Sequence, residues 1–219
     1  MNKYSRGVMF IGGLGPAPDA LRKIAGGADI LVAADSGLIA AEEAGLTPDW
    51  VLGDMDSLGT VGRPEDLKRL EMYPPERVLR YPPDKDYTDT ELAFNLLLEK
   101  GCDEIWIAGG GGGRTDHLFG VRALFERQNP PDRWFPGNEE IRCLKEGKTL
   151  NAAVPPGSLV SVFPLAGGPW EAESAGLKWP LNGLVWKIGD FGLSNAAEHG
   201  FFEIRSLKGR FMVIIPHEE

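Results

Sequence analysis

The chain has 219 residues, 42% of them hydrophobic and 25% charged, which are the proportions of an ordinary globular protein able to bury one large core or two smaller ones. Its formal net charge of −9, with no block rich in lysine and arginine, supplies no positive stripe for duplex nucleic acid. No run approaches the roughly 20 apolar residues of a membrane span, and two cysteines, Cys102 and Cys143, without C-x-x-C spacing exclude a disulfide framework and a zinc or redox motif.

The first apolar run, near Gly7 to Gly15, is broken by glycine and lacks the long apolar stretch of a secretory signal, so a cytoplasmic location is expected. Strands are predicted at Val8–Ile11, Asp29–Ala33, Trp50–Leu52, Arg77–Arg80 and Glu104–Ala108. Helices are predicted between and after them, at Pro18–Ala25, Leu38–Ala44, Pro64–Met72, Thr88–Glu99 and Asp116–Gln128, most with apolar residues three or four apart. Thr88 and Glu91 have the spacing of a capping box, which makes the helix from Thr88 the best specified. Strand and helix in alternation imply a parallel sheet covered by helices.

Around residues 129–138 the sequence QNPPDRWFPGN disfavours both helix and strand, and the domain boundary is expected there. Beyond it lie short runs at Ile141–Leu144, Leu159–Phe163, Trp170–Ala172, Gly183–Trp186, Phe201–Ser206 and Phe211–Ile215, the spacing of a small all-β sandwich. The fold expected is therefore α/β: an N-terminal doubly wound, mostly parallel sheet domain over residues 1–130, followed by a C-terminal all-β sandwich domain over residues 139–219.

Ligands of a doubly wound sheet bind at the carboxyl ends of its strands, and here each predicted strand ends in glycine, aspartate or both. Asp35-Ser36-Gly37 follows the second, Gly53-Asp54-Met55-Asp56-Ser57 the third, Asp84-Lys85-Asp86 the fourth and Gly109 to Gly113 the fifth. Asp54 and Asp56, two apart after a strand, can turn both carboxylates to one hard cation such as Mg2+, and Asp86 and Asp89 offer a second pair beside a helix N-terminus. Five glycines allow backbone N–H groups to approach phosphate, and Arg114, in Arg114-Thr115-Asp116-His117, brings a guanidinium fork to the same place. Gly12-Gly13-Leu14-Gly15 does not keep the G-x-G-x-x-G spacing of a dinucleotide site.

These motifs, Asp35-Ser36-Gly37, Gly53-Asp54-Met55-Asp56-Ser57, Asp84-Lys85-Asp86-Tyr87-Thr88-Asp89 and Gly112-Gly113-Arg114-Thr115-Asp116-His117, stand in an order that resembles the catalytic domain of the thiamine pyrophosphokinase family. Gly176-Leu177-Lys178-Trp179-Pro180-Leu181 and Leu193-Ser194-Asn195 are similar to that family's thiamine-binding sandwich, so the resemblance covers nearly the whole chain. It implies a Mg2+-dependent transfer of the diphosphate of ATP to the hydroxyethyl group of thiamine, giving thiamine diphosphate and AMP. It implies that Asp54, Asp56, Asp86, Asp89 and Arg114 are catalytic, with Asp54, Asp56 and Asp86 on the metal. Asp35, Ser36, Gly37, Gly112, Gly113, Arg114, Asp116 and His117 would bind ATP, and Thr88, Asp89, Trp179, Ser194 and Asn195 would bind thiamine. A homodimer with thiamine sites between subunits is also implied. The resemblance assigns no role to Lys85. A pterin diphosphokinase would share the chemistry without needing Trp179 and Ser194-Asn195, and a nucleotide-sensing module would release no AMP.

Overall fold

A computed structural model describes residues 4–55, Leu58 and 64–217, with no account of the side chains of residues 64–66. The chain divides into two compact units, Met1–Val121 with Trp134–Asn138, and Arg122–Arg133 with Glu139–Glu218.

In the first unit, β1 (Arg6–Phe10), β2 (Ile30–Ala34), β3 (Trp50–Gly53), β4 (Val78–Arg80) and β5 (Glu104–Ala108) form a parallel sheet. A further short strand, β6 (Arg133–Phe135), lies beside β5, and the order is β6-β5-β1-β2-β3-β4. The strands read as continuous apolar runs because a parallel sheet is covered on both faces. Val8 and Phe10 face a cluster with Leu21 and Ile24 of α1 (Pro18–Ala25) and Ala41 of α2 (Gly37–Glu43). Gly7, one residue out of step, meets the opposite layer: a Cβ there would lie 2.7 Å from Leu97 Cδ2 of α3 (Asp89–Glu99). The last helix of the unit begins as α4 (Thr115–Leu124).

Pro64–Met72, expected as an α-helix, is a 3-10 helix. Leu70 and Tyr73, both buried, are three apart, the period at which side chains align on a three-residue turn.

The second unit is a sandwich of two antiparallel sheets. One has the order β11-β9-β13-β7 and the other β10-β12-β8, from β7 (Glu139–Leu144), β8 (Thr149–Ala153), β9 (Leu159–Leu165), β10 (Glu171–Ala175), β11 (Gly192–Ala196), β12 (Phe201–Lys208) and β13 (Arg210–Pro216). Its core lies between them, with Val160, Val162, Phe211 and Val213 from one sheet against Leu150, Ala152, Phe202 and Ile204 from the other.

Four sequence expectations need correction. β6 forms inside the proline-rich stretch read as strandless, held by Trp134, whose Nε1 donates to the Gly109 carbonyl at 2.7 Å. β8 carries alternation in small residues, Leu150 and Ala152 in and Thr149, Asn151 and Ala153 out. β11 has the sequence GLSNA, poor in strand formers, with a register shift between Gly192 and Asn195 and Ser194 at φ 56°. Gly183–Trp186, expected as a strand, is loop, and Leu184 and Val185 are exposed there.

Candidate active site

The chain runs outward from β1 through β2, β3 and β4, then returns to place β5 on the other side of β1, so the topological switch point lies between β1 and β5. Two glycine-rich loops meet at its carboxyl edge. Leu14 and Gly111 exchange backbone hydrogen bonds at 2.6 and 2.8 Å, and the Gly110 amide donates to the Gly12 carbonyl at 2.9 Å. Glycine is required because the backbones touch: a Cβ on Gly13 would lie 2.9 Å from the Gly111 carbonyl oxygen, and one on Gly109 would strike the carbonyl of Ile11. The amide of Gly109 is also spent, on the Phe135 carbonyl at 3.0 Å. Of the five amides expected to face phosphate, three thus hold the loop together. Those of Gly112 and Gly113, at φ 59° and 62°, have no backbone partner among the described residues.

Two strands along, three carboxylates converge. Asp35 follows β2, Asp54 follows β3 and Asp89 opens α3, and one oxygen of each lies within 4.8 Å of the others. Each is placed by local backbone chemistry. Asp35 sits at φ 46°, and its Oδ1 accepts the Met55 amide at 3.2 Å, tying the end of β2 to the loop after β3. Gly53, at φ 141°, must be glycine because a Cβ there would strike the Asp35 carboxylate. Thr88 caps α3 as expected: its Oγ1 accepts the Glu91 amide at 3.2 Å, and Glu91 Oε2 accepts the Thr88 amide at 3.0 Å. That reciprocal cap fixes Asp89 as the first residue of the helix.

Lys85 lies among these acids. Its Nζ is 2.9 and 3.2 Å from the two oxygens of Asp89 and 3.4 Å from Asp54 Oδ2, with the three side chains only 13–17% exposed. Burial pushes the Asp35 carboxyl up to about 8, helped by the charge and hydrogen bond of Asp89 and the charge of Asp54, against the opposing Met55 amide. For Lys85, partial burial pulls the ammonium down, but its bonds and charge attraction to Asp89 and then Asp54 prevail and raise it. One lysine does not offset three carboxylates, and a proton on Asp35 makes up part of the deficit.

The donor set suits Mg2+. An octahedral ion with bonds of about 2.1 Å sets neighbouring oxygens about 3 Å apart, so carboxylate oxygens already within 4.8 Å of one another can close on it by small side-chain rotations. Asp35, Asp54 and Asp89 would hold such an ion, with water or phosphate oxygens completing it. Of the residues expected on metal, only Asp54 is in this cluster; Asp86 is exposed and apart from it, and Asp56 lies outside the described residues. Asp35 was read only as part of a nucleotide motif. Adjacent parallel strands ending at the same edge were the signal that could have paired it with Asp54.

The remaining expected residues divide by exposure. Ser36 immediately precedes α2, and Gly37 is pressed on the end of β1, where a Cβ would strike the Phe10 carbonyl. Arg114 and Asp116 form an exposed two-bond pair, Nη2 to Oδ2 at 2.6 Å and Nε to Oδ1 at 3.2 Å, which lowers the Asp116 carboxyl, first through the hydrogen bond from Arg114. His117 is exposed beside them, its amide donating to Asp116 Oδ1 at 3.0 Å.

In the second unit Trp179 presents its ring to solvent, 55% exposed, and the Lys178 ammonium lies 4.7 Å from the ring centroid. The face of that ring already holds a cation. Asn195 is buried at 7% exposure and is spent on Trp179: Oδ1 accepts the Trp179 amide at 3.1 Å, and Nδ2 donates to the Trp179 carbonyl at 2.6 Å. It frames the tryptophan. Ser194 is exposed, its amide donating to Ser161 Oγ at 3.2 Å.

A doubly wound sheet with a glycine-lined switch point, and a carboxylate triad at two strand ends and a helix start, gives an α/β protein whose site lies at the carboxyl edge of the sheet. The model of the thiamin pyrophosphokinase catalytic domain matches residues 21–130, and the chain belongs to that family of diphosphotransferase enzymes. A thiamine pyrophosphokinase of Bacillus subtilis is 28% identical over 187 residues, 84% of this chain and 85% of that protein. The crystal structure of thiamine pyrophosphokinase from Bacillus subtilis aligns over 97% of this chain and 100% of its own with a TM-score of 0.78 at 24% identity. Thiamin pyrophosphokinase from Candida albicans aligns over 97% of this chain and 90% of its own, with a TM-score of 0.71 at 16% identity. Both structural likenesses bear out the fold: a doubly wound sheet and an antiparallel sandwich.

Proposed function

We propose that the chain performs the reaction of its family, transfer of the diphosphate of ATP to the hydroxyl of thiamine, with the carboxylate triad as its metal-phosphate centre. The observation that carries this reading is the convergence of Asp35, Asp54 and Asp89 at the ends of two adjacent strands and a capped helix. Mg2+ bound there would neutralise phosphate charge as the β-phosphorus–oxygen bond to AMP breaks and the bond to the alcohol forms. The chain's own residues then position and orient. Gly112 and Gly113 offer amides to phosphate oxygens, and Arg114 offers a fork that its exposed pairing with Asp116 leaves accessible. Thr88 serves by capping α3 and so aiming Asp89, whose carboxylate receives or orients the proton of the attacking hydroxyl.

Within this reading residues 1–130 bind ATP and residues 139–219 bind thiamine, with Trp179 stacking on the cationic ring in the manner of its contact with Lys178. The homodimer of this reading is supported by the exposed apolar residues of the second unit: Leu184, Val185, Ile188, Phe191 and Leu193 are 49–91% exposed within ten positions, an apolar surface that a second copy would cover. Among the described residues no helix is long and apolar enough to cross a membrane.

The test is to incubate the protein with Mg-ATP and thiamine, with controls lacking thiamine or carrying a hydroxymethyl pterin, and to quantify AMP and diphosphorylated product. AMP matched by thiamine diphosphate is expected. ATP binding without AMP under any acceptor would show a nucleotide sensor instead.

A further inference from the structure

We propose that Lys85 is a built-in counter-cation for the carboxylate triad: it holds Asp54 and Asp89 together before the divalent ion arrives and competes with that ion for their oxygens. The inference rests on the metal reading of the triad and adds to it a positioning role for a residue outside the expected site. The geometry is that of a cation inside a cation site. Lys85 Nζ lies within 3.4 Å of both Asp54 and Asp89, and its side chain is 13% exposed. It comes from the loop just before α3, four residues ahead of Asp89, so the helix that delivers the acid also receives its counter-charge.

Two physical consequences follow. Without a divalent ion, three carboxylates within 4.8 Å of one another repel, and Lys85 supplies the charge that offsets part of this repulsion. With the ion present, the same ammonium is a like charge beside it, and its hydrogen bonds occupy oxygens the ion would use. Lysine suits both conditions, because its compact ammonium on a flexible four-carbon stem can leave the carboxylates without dragging a planar fork through the site.

The experiment compares wild type, Lys85→Met and Lys85→Arg, with Lys85→Gln as a second neutral variant should the methionine form fold poorly. Thermal melting in EDTA and then in MgCl2 is read alongside Mn2+ affinity measured by electron paramagnetic resonance. Loss of the positive charge is expected to lower the melting temperature in EDTA, to enlarge the stabilisation that MgCl2 brings, and to tighten Mn2+ binding by roughly tenfold. Lys85→Arg should stay near wild type in EDTA. A merely structural lysine would lower stability without tightening metal binding. Wild type that binds Mn2+ beside neutral variants that bind it equally or more weakly overturns the role of Lys85 and leaves the metal reading standing. Failure of every form to bind Mn2+ overturns both.

Discussion

The carboxylate pocket and the Arg114–Asp116 pair are both ionic, yet they differ in what surrounds them. Lys85, Asp54 and Asp89 are 13–17% exposed, whereas Arg114 and Asp116 are 71% and 62% exposed. Water screens the second pair and leaves it worth little, while the pocket's charges act at close range through protein. The pocket is therefore built before any ligand arrives, and the Arg114 loop is held loosely enough to change partners. That contrast predicts large, charge-specific effects in the first place and small, salt-sensitive ones in the second.

The largest effect belongs to Asp54. Asp54→Asn keeps the shape of the side chain and removes its charge from the centre of the pocket, so AMP release should fall by about 10²–10⁴-fold. Melting by circular dichroism should show a folded protein of near wild-type stability. Turnover within a few-fold of wild type would take Asp54 out of the metal centre and remove the distinction between pocket and loop.

The pocket also predicts a dependence on pH. With its carboxyl raised to about 8 in the folded protein, Asp35 binds a proton that the unfolded chain releases near 3.8. Between those values the folded state holds more protons, so metal-free stability should fall as pH rises, by up to about 1.4 kcal/mol per unit. The contribution is fully present below the unfolded value and lost as pH passes through about 8. Urea melts in EDTA at pH 5, 6, 7 and 8 would trace this slope. Asp35→Asn should flatten it, and an equal slope in that variant would assign the effect to other groups.

How far the site could be read from the sequence follows the same physical division. Strand ends of a parallel sheet announce themselves, because buried apolar runs stop abruptly at glycine and aspartate: β5 lies where it was expected and β1 to β4 within two residues of it. The capping box of α3 was equally plain, since both partners, Thr88 and Glu91, stand three apart at one helix end. What stayed hidden depends on contacts between distant residues. That Gly109 to Gly111 spend their amides on other loops, and that Asn195 is buried against Trp179, requires knowing which backbones touch. In the sandwich, β11 was invisible because its sequence has little strand preference and gains its place by pairing with β9.

A smaller effect is expected from Asn195, whose buried amide makes two bonds to the backbone of Trp179. Asn195→Ala strands those groups, which should cost about 1–3 kcal/mol in stability. The ring then loses its fixed direction, and the KM for thiamine should rise by roughly tenfold while kcat changes by less than about threefold, because the loss is of binding rather than of chemistry. Steady-state kinetics with thiamine varied at saturating ATP would measure the split. A fall in kcat alone would place Asn195 nearer the reacting atoms than its burial allows.

The smallest effect is predicted at Asp116, and its size tests the contrast between the two regions most sharply. An exposed ion pair contributes little, so Asp116→Asn should leave the melting temperature within a few degrees of wild type. Removing an acid beside bound phosphate, and releasing Arg114 from its partner, should lower the KM for ATP by no more than about fivefold. Added salt shortens the reach of exposed charges from about 8 Å at physiological strength to about 3 Å at 1 M, so the difference should shrink as salt is raised. A change that is larger and indifferent to salt would mean that Asp116 is desolvated when ATP binds. The loop would then close into the same low-dielectric regime as the carboxylate pocket, and the two regions would differ only while the site is empty.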